Sequence, residues 1–279
     1  MKFIGVLHSG VRGFITNSAI PSAPPSLLCF ALLCFVSGCA RDYNLSPSPS
    51  VDKVKLSISI SDELEASPLR VMYRSAICKR VTYDGDGRAA TLDGYNSIEV
   101  AFSRQKTESL YEADLFINGG GPCEWRLSNV LFEVSYRVPN RFGENVSSGG
   151  GGGVIVIFDH NDPQRRTSGV VKVKGTDLVI IKDYYPWVKE SYLGGYIKRA
   201  GLAGEARSYL TYEARETRRV YFEPVLHSDY VVSSTEPKKH KIGDFIKFHY
   251  PDGTTQSDGR TVPDFKKIQE IRLKAEAGK

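Results

Sequence analysis

No Asp or Glu occurs between Met1 and Gly38, where the only formal cations are Lys2 and Arg12. Long apolar runs are missing as well. The longest, Leu27–Val36 (LLCFALLCFV), has ten residues, against the ~20 that a helix needs to cross a bilayer, so it is not a spanning helix. Basic residues, a short apolar region and then the small residues Ser37-Gly38 describe a secretory signal peptide over residues 1–38. Blocks of like charge are lacking too. The chain carries 37 basic and 32 acidic residues, and loss of Lys2 and Arg12 leaves 35 against 32, or +3. That balance, with export, excludes nucleic acid as a partner. Neither a Gly-x-Ser-x-Gly elbow nor a His-Glu-x-x-His helix is present, so the sequence displays no hydrolase signature. It displays no cofactor motif either.

Val36-Ser37-Gly38-Cys39 resembles the lipobox of bacterial lipoproteins, an apolar residue and two small ones before an obligatory cysteine. The resemblance implies cleavage before Cys39 and acylation of its thiol. Two or three acyl chains, at ~0.8 kcal/mol per buried methylene, give near-permanent anchoring. It also implies a destination. Ala40 stands where enteric-type bacteria use Asp to retain a lipoprotein in the inner membrane, so the outer membrane, facing the periplasm, is expected. Residues 39–53, with Ser-Pro punctuation and little apolar content, read as lipidated cysteine and solvated tether.

Cysteine usage follows from this. Of five cysteines, Cys29 and Cys34 leave with the signal and Cys39 takes lipid, leaving Cys78 and Cys123. An oxidising compartment favours one disulfide between them. Closing a ~46-residue loop would contribute at most roughly 4 kcal/mol on the chain-entropy model. Metal ligation is the rival, but no matching His pair accompanies the two thiols.

The mature chain has a dominant period of two. Val54, Leu56, Ile58 and Ile60 alternate with polar residues, and Ile98–Ser103 repeats the pattern. Val130, Phe132, Val134, Tyr136 and Val138 share one expected face, with Leu110–Ile117 as hairpin partner through Asn118-Gly119-Gly120-Gly121. About ten short strands with turn signals between them argue for a mainly β fold of antiparallel, sandwich-like sheets. Helical signal is sparse: a broken helix over Trp187–Arg199, and a better one over Asp264–Ala275, capped by Asp264. Gly149–Gly153 reads as a flexible break. It divides a disulfide-bearing region, 54–148, from a tyrosine-rich region, 154–279, as two domains or as one domain with a loop.

Several clusters fail as sites. The Gly149–Gly153 run lacks the Lys-Ser/Thr and following helix of a phosphate loop. Asp84-Gly85-Asp86-Gly87 lacks the later ligands of a calcium loop and reads as a hairpin turn. In Asp159-His160-Asn161-Asp162, neighbours on a strand end point apart, so no metal site is expected. His227-Ser228-Asp229 holds triad residue types, but adjacent residues cannot form a nucleophile–base–orienter chain.

The stretch Asp183–Pro224 is different. It holds seven of the fifteen tyrosines, with Trp187 and many Lys and Arg interleaved. Tyr, Trp and Arg are the residues of protein-interface hot spots, and Tyr184, Tyr185, Trp187, Tyr192 and Arg218 are the expected partner-binding set. Core filling is the competing use for the same rings. Cys78-Lys79-Arg80 and the segment Gly119–Val130 (GGGPCEWRLSNV) resemble parts of periplasmic lipoproteins encoded beside type VI secretion effectors of the phospholipase kind. The resemblance implies an immunity protein that binds and neutralises such a toxic effector. It covers mainly residues 70–138 and carries over no functional residue beyond the cysteine pair. Carboxylates that pair in space leave no trace in spacing, so an envelope glycan-binding or glycan-hydrolysing lipoprotein stays open as the alternative.

Overall fold

Alternation along the sequence becomes strand along most of the folded chain. The computed structural model describes residues 43–105, 109–161, 169–206, 209–239 and 241–278; the signal, the lipobox and Cys39 lie outside the described residues. Strand β1 (Lys53–Ser59) turns Val54, Leu56 and Ile58 fully inward and its polar members outward. It pairs antiparallel with β6 (Leu110–Phe116) from Lys53↔Phe116 to Ser59↔Leu110, and parallel with β16 (Arg219–Leu226). On its other side β16 pairs parallel with β13 (Asp177–Ser191). Three parallel strands therefore form the middle of one sheet, and β6 continues it antiparallel.

A second sheet runs in the order β12 (Val170–Lys172), β15 (Tyr209–Glu213), β11 (Gly153–Ile157), β8 (Trp125–Phe132), β3 (Leu69–Tyr83), β4 (Ala89–Val100). The short β7 (Asn118–Gly120) pairs with β8. The two sheets face each other across one apolar core. Phe132 of β8 meets Phe222 of β16 at 5.7 Å between ring centroids, and Val71, Val130 and Val156 pack in the same cluster as Leu56, Ile180 and Val220. The fold is mainly β and sandwich-like, with mixed sheets. Its one α-helix among the described residues is α1 (Phe265–Ala277), N-capped by Asp264 accepting from the Lys267 N–H at 3.3 Å.

The 15-residue β13 is the spine, about 46 Å long at ~3.3 Å per residue. Its first half, to Tyr184↔Leu226, pairs with β16. Its second half pairs with β14 (Ile197–Ala203), from Tyr185↔Ala203, and with β17 (Val232–Thr235), from Trp187↔Val232. Pro186 pairs with Leu202 of β14 and, on the other side of β13, sits in the gap between the end of β16 and the start of β17, where no ladder donor is required. Beyond it, β17, β18 (Lys247–His249), β19 (Thr255–Gln256) and α1 build a smaller core of Tyr185, Ala203, Val232, Phe248, Tyr250 and Ile268.

Three expectations are corrected. Leu110–Ile117 does not pair with Val130–Val138, because its chain crosses between sheets: β6 lies on β1, and β7 then joins β8. The apolar face from Val130 holds through Tyr136, now on β9 (Val134–Tyr136), but Val138 is 53% exposed. Trp187–Arg199 is no broken helix. It is the β13–β14 hairpin, and Gly194 and Gly195, both at positive φ, make the turn.

Gly149–Gly153 is not a loose break either. It lies against β14, with Gly149 N–H donating to Ala200 O at 2.7 Å and Leu202 N–H donating to Gly150 O at 3.0 Å. A Cβ on Gly151 would stand 2.6 Å from the Leu202 carbonyl oxygen, so the glycines allow backbone to pack on backbone. Residues 42–279 form one compact unit, with the run inside it.

Candidate functional site

At the point where β13 changes partners, five side chains converge. His227 Nε2 lies 2.6 Å from Asp183 Oδ1, and its ring stacks on Tyr185 at 5.1 Å. The second Asp183 oxygen accepts from Gln269 Nε2 at 3.2 Å and faces Arg272 at 3.6 Å. Arg272 Nε donates to the Tyr185 hydroxyl at 3.0 Å. Burial pushes the Tyr185 hydroxyl above its usual range, and Arg272 opposes that shift. The cluster bonds α1 to β13.

An Asp–His pair invites comparison with hydrolytic sites, but the neighbouring Ser228 does not complete one. Ser228 donates to Glu63 Oε1 at 2.5 Å rather than to His227. Sequence reading weighed His227 only against its neighbours Ser228 and Asp229, rejected them as a triad, and missed Asp183, 44 residues away. No spacing rule could have joined them, since a sheet ladder brings them together.

The other clusters settle into turns. Asp84 accepts from the N–H groups of Asp86 and Arg88 at 2.9 and 2.8 Å, which closes the β3–β4 hairpin. Asp159 accepts from both Asn161 nitrogens, His160 faces Arg215, and Asp162 lies outside the described residues. Among the described residues, no three His, Cys, Asp or Glu side chains are grouped to hold a metal.

Cys78 and Cys123 are bonded to each other, with Cα atoms 5.3 Å apart. The site is built locally. Between Ser75↔Gly94 and Arg80↔Leu92 the β3 strand bulges. The Ser75 hydroxyl accepts from Ile77 N–H and Cys78 N–H and donates to Cys123 O at 2.6 Å.

The structure divides the expected partner-binding set. Tyr184 and Tyr185 are buried, in the main and the smaller core respectively, and offer no surface. Trp187 is half-buried, its Nε1 donating to Ser234 Oγ at 2.8 Å. Arg218 is exposed beside the start of β16, whereas Tyr192 lies past the end of β13, most of a strand length away. These five residues do not form one patch, because the core takes the inward rings of a strand and leaves its ends to solvent.

What remains exposed is the tip of the β13–β14 hairpin. Leu193 and Tyr196 are more than half exposed there. Tyr192 and Tyr196 lie 5.3 Å apart, and both hydroxyls donate to Glu190, at 3.4 and 3.2 Å. Partial desolvation, then the Glu190 carboxylate, raise both hydroxyls above their ordinary value. Lys238 stands 5.5 Å over the Tyr192 ring, and the ion pairs Lys198–Glu190 and Lys189–Glu236 rim the tip. The sequence signal for this tip was present, in Tyr192 and Tyr196 around a Gly-Gly turn. Comparison with protein-family models, with curated proteins and with solved structures finds no match to this chain.

Proposed function

We propose that this chain is a lipid-anchored binding protein of the bacterial envelope, held through Cys39 to the outer membrane and facing the periplasm. Its proposed partner is a toxic effector of the type VI secretion phospholipase kind, which it neutralises by contact. The observation that carries the binding reading is the exposed tyrosine tip of the β13–β14 hairpin, a small aromatic cluster flanked by two ion pairs.

Placement supports the same reading. β1, β16 and β13 run parallel, and the first described residues, Tyr43–Ser46, lie against the turn after β6, where β1 begins. The tip lies beyond the opposite end of β13, so the molecule offers it away from its anchored end. Tethering raises the effective concentration of inhibitor near a membrane-active enzyme. Covering an active-site mouth requires area and hot spots, not catalytic groups.

Co-expression with the neighbouring effector directed to the periplasm tests the proposal. Survival that depends on this gene, and a purified complex weakened by ~1–3 kcal/mol on Tyr192→Ala or Tyr196→Ala, is the expected outcome. Absence of both protection and complex, or glycan hydrolysis by the isolated protein, defeats it.

A further inference from the structure

Beyond Arg74, β3 leaves β8, and β3 and β4 continue as a two-stranded arm with no third strand among the described residues. Every residue from Lys79 to Asp93 is exposed, Val81 by 62% and Tyr83 by 69%. The register Val81↔Thr91 and Tyr83↔Ala89 places these four side chains on one face, and none is charged. A lone two-stranded ribbon is marginal in water, so such a face calls for a surface to rest on.

The chain's own N-terminal end indicates which surface. Tyr43 is pinned at the root of the arm: its carbonyl oxygen accepts from Asn96 Nδ2 and Trp125 Nε1, both at 3.0 Å. Ser46 N–H donates to Gly119 O at 2.8 Å. Four peptide steps separate Cys39 from Tyr43, which at full extension reach at most ~14 Å. The arm leads ~23 Å from Asn96 to Ala89 at ~3.3 Å per residue. It points away from the core, at the end where β1 begins. An arm longer than the tether, rooted where the tether is pinned, cannot stand clear of the bilayer when directed toward it.

We infer that the β3–β4 arm rests on the phospholipid surface that holds the Cys39 lipid, with the Val81–Tyr83–Ala89–Thr91 face in the interfacial layer. The inference depends on the anchoring part of the proposed function. Tyr is an interfacial residue by its amphipathic ring. At the root, Lys79 and Arg80 line a surface depression of about 650 Å³ with Tyr95 and Asn96, at the level where phosphate groups would lie. Asp84 and Asp86 at the turn keep the tip from plunging into hydrocarbon, so the arm lies along the surface on the Val81–Tyr83–Ala89–Thr91 stretch of that face, with the exposed Asp93 at its root end. Contact at the arm together with the lipid gives the sandwich two points of attachment at the end opposite the β13–β14 tip.

The test uses the mature lipidated chain in phosphatidylethanolamine–phosphatidylcholine vesicles, with Tyr83→Trp as reporter, Val81→Trp as a second and Tyr196→Trp as the distal control. Brominated phosphatidylcholine should reduce emission from positions 83 and 81 roughly twofold, relative to the background of Trp125 and Trp187, and leave position 196 unchanged. Chains that float with vesicles yet show positions 81 and 83 open to aqueous iodide and untouched by bromolipid overturn the inference. So does shielding of position 83 from iodide only on addition of the effector, which would make the arm a protein contact. Failure to float, or a Cys39 without lipid by mass spectrometry, removes the anchor itself, a separate result.

Discussion

Gly94 faces the Cys78 carbonyl across the bulge that carries the disulfide. A Cβ at Gly94 would stand 1.8 Å from that oxygen and 3.0 Å from its carbon, against an ordinary contact of ~3.4 Å or more. Gly94→Ala therefore demands a backbone displacement of well over 1 Å, and no side-chain rotation can relieve it. The bulge is tied at two points, by the Ser75 hydroxyl to Cys78 N–H at 2.9 Å and by the disulfide to Cys123. Overpacking typically costs 1–3 kcal/mol, and with both ends tied the expected loss is at the upper end, ~3 kcal/mol. Urea unfolding of the oxidised chain measures it. A Cys78→Ala/Cys123→Ala background releases one tie, so Gly94→Ala should cost about half as much there, a coupling of ~1–2 kcal/mol. Removing the disulfide alone should cost up to ~4 kcal/mol through the unfolded chain. Strict additivity of the three changes, or a Gly94→Ala loss below ~0.5 kcal/mol, would refute the close-packed bulge.

Other outcomes follow from single groups. Tyr73 is buried, donates to Phe116 O at 2.9 Å, and has its hydroxyl pushed by burial from 10.0 to about 12. Its folded value exceeds the unfolded one, so its contribution is complete below pH 10.0 and is lost as pH rises through about 12. Tyrosinate absorbance should lag behind that of exposed tyrosines and appear together with loss of near-UV dichroism. The Tyr136 hydroxyl is buried with no bonding partner among the described residues, so Tyr136→Phe should leave stability unchanged or raise it by up to ~1 kcal/mol in thermal melts. Asp183→Ala should cost ~1–2 kcal/mol and accelerate amide exchange in α1 ahead of the sheets, because it strips His227, Gln269 and Arg272 of their shared acceptor.

Local chemistry made much of the fold legible in the sequence. The alternation of Val54, Leu56 and Ile58 defines an inward face whatever strand lies beside it, and Asp264 caps a helix without help from elsewhere. Asp84-Gly85 makes its turn through bonds within five residues, and a pair of otherwise unused cysteines becomes a bridge. Pairing was beyond reach because neighbours in a sheet are chosen by the summed fit of faces, not by any residue in the strand. Leu110–Phe116 satisfies an inward face as well on β1 as on β8, and only the complete sandwich selects β1. Tyrosine marks the limit most plainly. Tyr184 and Tyr196 are the same side chain in the same stretch, yet one is 4% exposed in the core and the other 58% exposed at a hairpin tip. Burial depends on where β13 leaves the sandwich, and that point is fixed by the ends of β16 and β17 around Pro186. Asp183 meets His227 for the same reason: parallel ladders bring together residues that the chain keeps far apart.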